Sequence, residues 1–315
     1  MRRAWFCLAA GLLAAGCSSP PKPARPSDPD LDRYASSAQI SFKHGDYAQA
    51  EKLYRRALDR ARAADDALEI GNNAYNLAVC LVALGRNTEA RPLLHEARGA
   101  LEELRKNTAE VLLLDASAAR NLGILDAASA LLLEARAQMS RDKDRALWIQ
   151  SALVEAQVAC DRNDAPGALR LLDAVSQDLK QLDDPLLKGR NAGLLARVAW
   201  MTGQPATAAA WLDKEAGWYR KAGRPPQEIS AVLRRAGEAW GQAGQNRESA
   251  DRYYRAARSL FGQGRANEAL KCIGPALTAA EKAADRGLMA RIAALFDEIR
   301  REMTAEAADG ARAGK

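Results

Sequence analysis

Few side chains in this sequence are spaced for chemistry. The two histidines, His44 and His95, lie far apart, with no cysteine or histidine at metal-ligand spacing. Both read as surface positions on helices. Gly262-Gln263-Gly264 lacks the rest of a phosphate-binding loop and reads as a helix break. There is no nucleophile elbow and no paired-histidine metal helix. The acid pairs Asp65-Asp66 and Asp183-Asp184 fall where helices should start, at the favourable end of a helix dipole. The sequence therefore predicts no catalytic residue, no cofactor, no metal and no enzyme. What remains is binding chemistry. Trp200, Trp211, Trp218 and Trp240 crowd the C-terminal half with Tyr219, Tyr253 and Tyr254, near Arg197 and Arg234. Two readings stay open. These rings are either an anchor site beside arginines or large core residues between stacked helices.

The elements that position these residues repeat. Gly45, Gly85, Gly123, Asn163, Gly203 and Gly244 are separated by 40, 38, 40, 40 and 41 residues. Seven residues before each stands a small residue: Ala38, Ala78, Ala116, Ala156, Ala196 and Gly237. Five after stands another: Ala50, Ala90, Ala128, Ala168, Ala208 and Ser249. Nine after stands a large one: Tyr54, Leu94, Leu132, Leu172, Leu212 and Tyr253. Small residues at fixed places let two helices approach, and the large one fills the space beside them. Gly or Asn between them suits a left-handed helix stop. The expected fold is all-α, a right-handed solenoid of about six to seven antiparallel helix pairs over residues 31–304. Past Gly244 the next turn, Gly264, comes after only 20 residues. The helix near 246–262 therefore serves two pairs, and the helix near 286–304 caps the stack. Residues 305–315 read as a disordered tail.

Gly45-Asp46-Tyr47-Ala48-Gln49-Ala50 with Tyr54 and Ala57-Leu58, and Asn73-Ala74-Tyr75-Asn76-Leu77-Ala78 running to Leu84-Gly85-Arg86, resemble the tetratricopeptide repeat family. The resemblance spans residues 31–262 and is plainest in the first two repeats. The family's first-helix Trp is absent and its closing Pro is mostly missing. The period also exceeds the family's usual length of about 34, toward that of armadillo or HEAT repeats. The resemblance implies that first helices line a concave groove, with groove residues thirteen, ten, six and three places before each turn. Those positions include Asn72, Tyr75, Gln157, Arg190, Arg197, Trp200, Arg234 and Glu238. Amides, arginines and an aromatic ring suit an extended peptide. The family's carboxylate clamp for chaperone tails is missing, since Ala35 and Gln39 stand where it needs Lys and Asn.

Residues 1–16 read as an address. Arg2 and Arg3 precede the apolar run Ala4–Ala15, too short to span a membrane. The ending Leu13-Ala14-Ala15-Gly16-Cys17 resembles a bacterial lipoprotein signal, which implies cleavage before Cys17 and lipid on its thiol. An ordinary secretory signal is the other reading. Residues 17–30 are rich in proline, which favours an extended tether. Ser18 after the cysteine implies the periplasmic face of an outer membrane.

The net charge of +6 falls to +4 once residues 1–16 are removed, with both signs interspersed, so nucleic acid is not an expected partner. Cys80 and Cys160 lie two repeats apart, about four helix spacings of 8–10 Å, too far for a disulfide. With Cys272 they read as buried core. Together the calls describe a lipid-anchored envelope adaptor that binds a protein or extended peptide. The alternatives are a permanent structural subunit of an envelope assembly and a carrier of a small cell-wall ligand. Oligomeric state and partner identity are not written in the sequence.

Overall fold

The computed structural model describes residues 28–313. Among them are fifteen helices and no strand. They form consecutive antiparallel pairs. The first pairs are α1 (Pro29–Lys43) with α2 (Tyr47–Ala63), α3 (Ala67–Ala83) with α4 (Asn87–Glu103), and α5 (Ala109–Asn121) with α6 (Leu125–Ala137). The middle pair is α7 (Arg145–Asp161) with α8 (Ala165–Ala174), extended by the short α9 (Ser176–Gln181). Then come α10 (Pro185–Met201) with α11 (Pro205–Lys221), and α12 (Pro226–Gln242) with α13 (Asn246–Phe261). Finally α14 (Ala266–Lys282) and α15 (Arg286–Ala313) close the stack. The α13 helix packs more extensively on α14 than α14 does on α15, so the pairing shifts by one helix after Gly264, as its early turn predicts.

Local chemistry accounts for the ends. Asp28, Asp46, Asp66, Asp164 and Asp184 cap helix N-termini, their carboxylates accepting backbone N–H groups. At the other end of each first helix the turn residue takes positive φ, 61° at Asn163 and 69–79° at the six glycines of the intra-pair turns, Gly264 included. The residue after it donates back across the turn, as in Asp46 N to Ser41 O at 3.0 Å and Asp164 N to Ala159 O at 2.8 Å. Between pairs, Asp65, Arg105 and Ala284 adopt positive φ without being glycine, which the sequence did not announce.

Two expected boundaries move. The first helix begins at Pro29 rather than 31, because Asp28 caps it and proline is well suited to the first turn. The last helix continues to Ala313 rather than ending near 304, through an alanine-rich run that favours helix despite Asp309 and Gly310. A break was also unforeseen: α8 stops at Ala174 and the chain restarts at Ser176. Arg141 fills the gap, donating to the freed Ala174 carbonyl at 3.4 Å and to Asp178 at 2.9 Å.

The small-residue register is the seam of the core. Every alanine in it is buried, none more than 2% exposed. The sixth repeat departs from alanine and compensates. Gly237 leaves room for the Tyr253 ring, which would lie 2.8 Å from an added Cβ. Ser249 is buried, and its hydroxyl donates to the Gly237 carbonyl at 2.7 Å. Cys80, Cys160 and Cys272 are buried and unpaired. No described helix is long and apolar enough to cross a membrane.

Candidate binding surface

First helices α5, α7 and α10 lie side by side, so residues near their C-terminal ends form one surface. A charged ladder crosses it. Arg120 on α5 donates to Asp161 on α7 at 2.6 Å, and Arg197 on α10 donates to the other oxygen of the same carboxylate at 2.7 Å. Arg120 also reaches Gln157 at 3.2 Å. Burial opposes ionisation of Asp161, but the two guanidinium hydrogen bonds outweigh it and hold the carboxyl below its ordinary range. Gln157 and Arg197 are therefore already engaged within the chain.

Beyond the ladder a cleft of about 240 Å³ opens between α10, α11 and α12. Its floor is Ala196, Ala208 and Leu212, and its rim is Arg197, Trp200, Arg235 and Glu238. Trp200 is 46% exposed, a large ring left half in solvent at the mouth. Trp211 and Trp240 are different. Both pack against the core, and the Trp240 indole N–H donates to Asp213 at 3.1 Å. The ammonium groups of Lys188 and Lys221 both lie over the Trp218 ring, 5.2 and 4.5 Å from its centre. Trp211 and Trp240 thus pack on the core, whereas the Trp200 ring is accessible.

The eight expected groove residues are thus divided. Arg197, Trp200 and Glu238 share the cleft, and Gln157 joins through Arg120. Arg234 lines a neighbouring cleft with Arg265, Glu268 and Lys271. Arg190 is exposed two helical turns from Arg197 and lines neither cleft. Asn72 and Tyr75 line a separate cleft of about 400 Å³ with Lys106, Asn107 and Glu110. Burial, with Glu110 adding to it, pushes the Tyr75 phenol up to about 12. Arg190 and Arg234 have no ion-pair partner among the described residues.

Sequence reasoning missed Arg235 and the buried Glu215 beneath it. The Glu215 carboxylate sits 3.6 Å from the Arg235 guanidinium and packs where a side chain at Gly193 would otherwise lie. Helical spacing pointed to Arg234, the adjacent residue; only the packing of α11 on α12 selects Arg235 for the cleft. Cys17 and the expected signal and tether up to residue 27 lie outside the described residues. His44 is exposed, and His95 lies 3.9 Å from Asp115. No three ligand-type side chains converge on a metal-sized site among the described residues.

The tetratricopeptide repeat family model matches residues 34–103. A sequence search finds no match among curated proteins. The fold is similar to a signal-transduction ATPase with a tetratricopeptide repeat sensor from Pyrococcus horikoshii, with TM-score 0.61 and 14% identity over 88% of this chain and 41% of that one. It is similar to a Rap protein complexed with competence and sporulation factor, with TM-score 0.59 and 11% identity over 88% of this chain and 86% of that one. It is also similar to NprR in complex with the peptide NprX, with TM-score 0.58 and 10% identity over 88% and 81%. Residues 34–103 match the tetratricopeptide repeat family, and the helix pairs that follow continue the same solenoid fold.

Proposed function

We propose that this protein is an adaptor that holds an extended segment of another protein against its first-helix surface, and that lipid on Cys17 keeps it at the bacterial envelope. One observation carries the binding reading: a half-exposed tryptophan, Trp200, stands over an apolar floor and is flanked by Arg197, Arg235 and Glu238. Exposed aromatic rings beside arginine are the usual anchors of an interface. The mixed charge of the rim suits a peptide with one apolar side chain for the floor and an acidic group for the arginines. One protein of similar fold, NprR, was crystallised with its cognate peptide, which fits this use of the solenoid.

The test is capture from crosslinked membranes by the full chain and by the Arg197→Ala/Trp200→Ala double variant. Partners recovered by wild type should be lost from the variant while its circular dichroism stays helical. Truncated anchors typically cost about 2 kcal/mol or more. A folded variant that captures every partner equally would refute the assignment. The lipid is tested separately by fatty-acid labelling, which Cys17→Ser should abolish. A permanent structural subunit is the second reading. It would use apolar side chains on second helices, and Leu133 on α6 is 74% exposed. Loss of capture on Leu133→Glu, with no effect of the Trp200 change, would favour it.

A further inference from the structure

A further cleft, of about 300 Å³, lies between α11, α12 and α13. It includes Arg220 from α11 and Arg255 and Arg258 from α13, around a floor that includes Ile229 and Leu233 of α12. No acidic residue lines it. Elsewhere in the described structure many arginines are spent on acids one repeat away: Arg62 on Glu96, Arg86 on Glu51, Arg252 on Asp213. Here Arg220 and Arg258 have no ion pair among the described residues, and Arg255 has only a long contact of 3.6 Å to Asp251, which Arg252 already holds at 2.5 Å. Burial, and then the charges of Arg255 and Arg252, push the Arg220 guanidinium below its ordinary value against the pull of Asp213. Gathering like charges over an apolar floor opposes folding unless an anion completes the site.

The geometry points to an anion site in which Arg220, Arg255 and Arg258 grip a phosphate group whose attached apolar portion rests on Ile229 and Leu233. Three guanidinium groups exceed what one carboxylate neutralises. They match a phosphate, whose several oxygens accept paired N–H donors from more than one arginine. Ser259, also in the cleft, adds a hydroxyl donor. The cleft is larger than a phosphate ion needs, and its floor is apolar, so the group it takes is carried on a larger molecule. This site is separate from the Trp200 cleft and does not depend on the peptide reading.

The test uses the full chain and two probes, inorganic phosphate and phospholipid vesicles. Melting temperature is followed as phosphate replaces chloride at constant ionic strength. Vesicles of phosphatidylglycerol are compared with phosphatidylcholine by co-sedimentation. The chain carrying Cys17→Ser serves in the vesicle arm, so that an attached lipid does not contribute. A saturable rise in melting temperature with phosphate, lost in Arg255→Gln/Arg258→Gln and kept in Arg197→Ala, supports a soluble phosphate ligand. Retention on phosphatidylglycerol alone, reduced at least tenfold by the same double change, supports a lipid headgroup. Each variant's helix content is checked by circular dichroism, and Arg220→Gln alone should raise the melting temperature in phosphate-free, low-salt buffer by relieving repulsion. The proposal is overturned if phosphate and chloride act alike and neither vesicle retains the chain, or if the double variant binds as wild type does.

Discussion

Asp161 and Glu215 show two opposite fates for a carboxylate in the same stack. Asp161 is held charged by guanidinium groups from two neighbouring first helices. Glu215 is buried with one oxygen lacking any hydrogen-bond partner. Burial is the main reason its pKa is raised, against the pull of Arg235 and of the Tyr219 hydroxyl, with Glu228 adding repulsion. The folded form therefore holds the proton more tightly than the unfolded chain. The stabilisation this gives is complete below the ordinary value of 4.5 and is lost as pH rises through the raised folded value. Glu215→Gln keeps the volume and removes that dependence. Melting curves taken from about pH 4 to 8 should diverge in favour of the variant as pH rises. Parallel curves would show that the Glu215 carboxyl titrates alike in the folded and unfolded chain, so that burial does not penalise its charge. Trp200 and Arg197 were legible in the sequence because the turn residue fixes their place on α10. Arg235 and Asp161 were not, because their roles depend on side chains a helix or a repeat away, which spacing alone does not pair.

At the scale of the helix pair, the small-residue register decides stability. Ala208 is 1% exposed and lies in the seam between α10 and α11, beneath the Trp200 cleft. Ala208→Phe forces those helices apart and should cost about 1–3 kcal/mol or more, read as a lower melting temperature. Gly237→Ala is smaller but meets the Tyr253 ring, so it should destabilise by about 1–3 kcal/mol despite the better helix propensity of alanine. An unchanged or higher midpoint in urea would mean that Tyr253 moves aside freely. This register was readable from the sequence because close packing admits few residue types. The helix break at Val175 was not, since the residues that stabilise it are Arg141 and Asp178, brought together from outside α8. The buried cysteines add no covalent tie. The Cys80 thiol, pushed up to about 12 chiefly by burial, stays protonated, so reductant should leave the melting temperature unchanged.

Across the whole molecule the core is a line rather than a ball, and the line is uneven. Buried side chains form one cluster from Ala38 to Ala118 and a larger one from Ala196 to Ile299. Between them lie two smaller clusters, of which the one joining Leu113 to Val158 is the thinnest. The same region carries residues 138–144, the longest non-helical segment between described helices. In a solenoid each pair is stabilised only by its neighbours, so local opening concentrates where a neighbour contact is weak. Arg141 and Lys143 are exposed in that segment, and Arg141 is restrained by its bonds to Asp178 and the Ala174 carbonyl. Limited trypsin digestion should therefore make its first cut within residues 28–305 after Arg141 or Lys143. The C-terminal product, which keeps the larger cluster and both the Trp200 and the arginine clefts, should remain helical and melt cooperatively. The N-terminal product should melt at a lower temperature. Arg141→Gln removes the restraint and should speed the cut after Lys143 without changing the C-terminal fragment's melting. A first cut at the turns near Arg105 or Gly223 instead would place the weak point elsewhere and show that the middle clusters cooperate more tightly than their size implies.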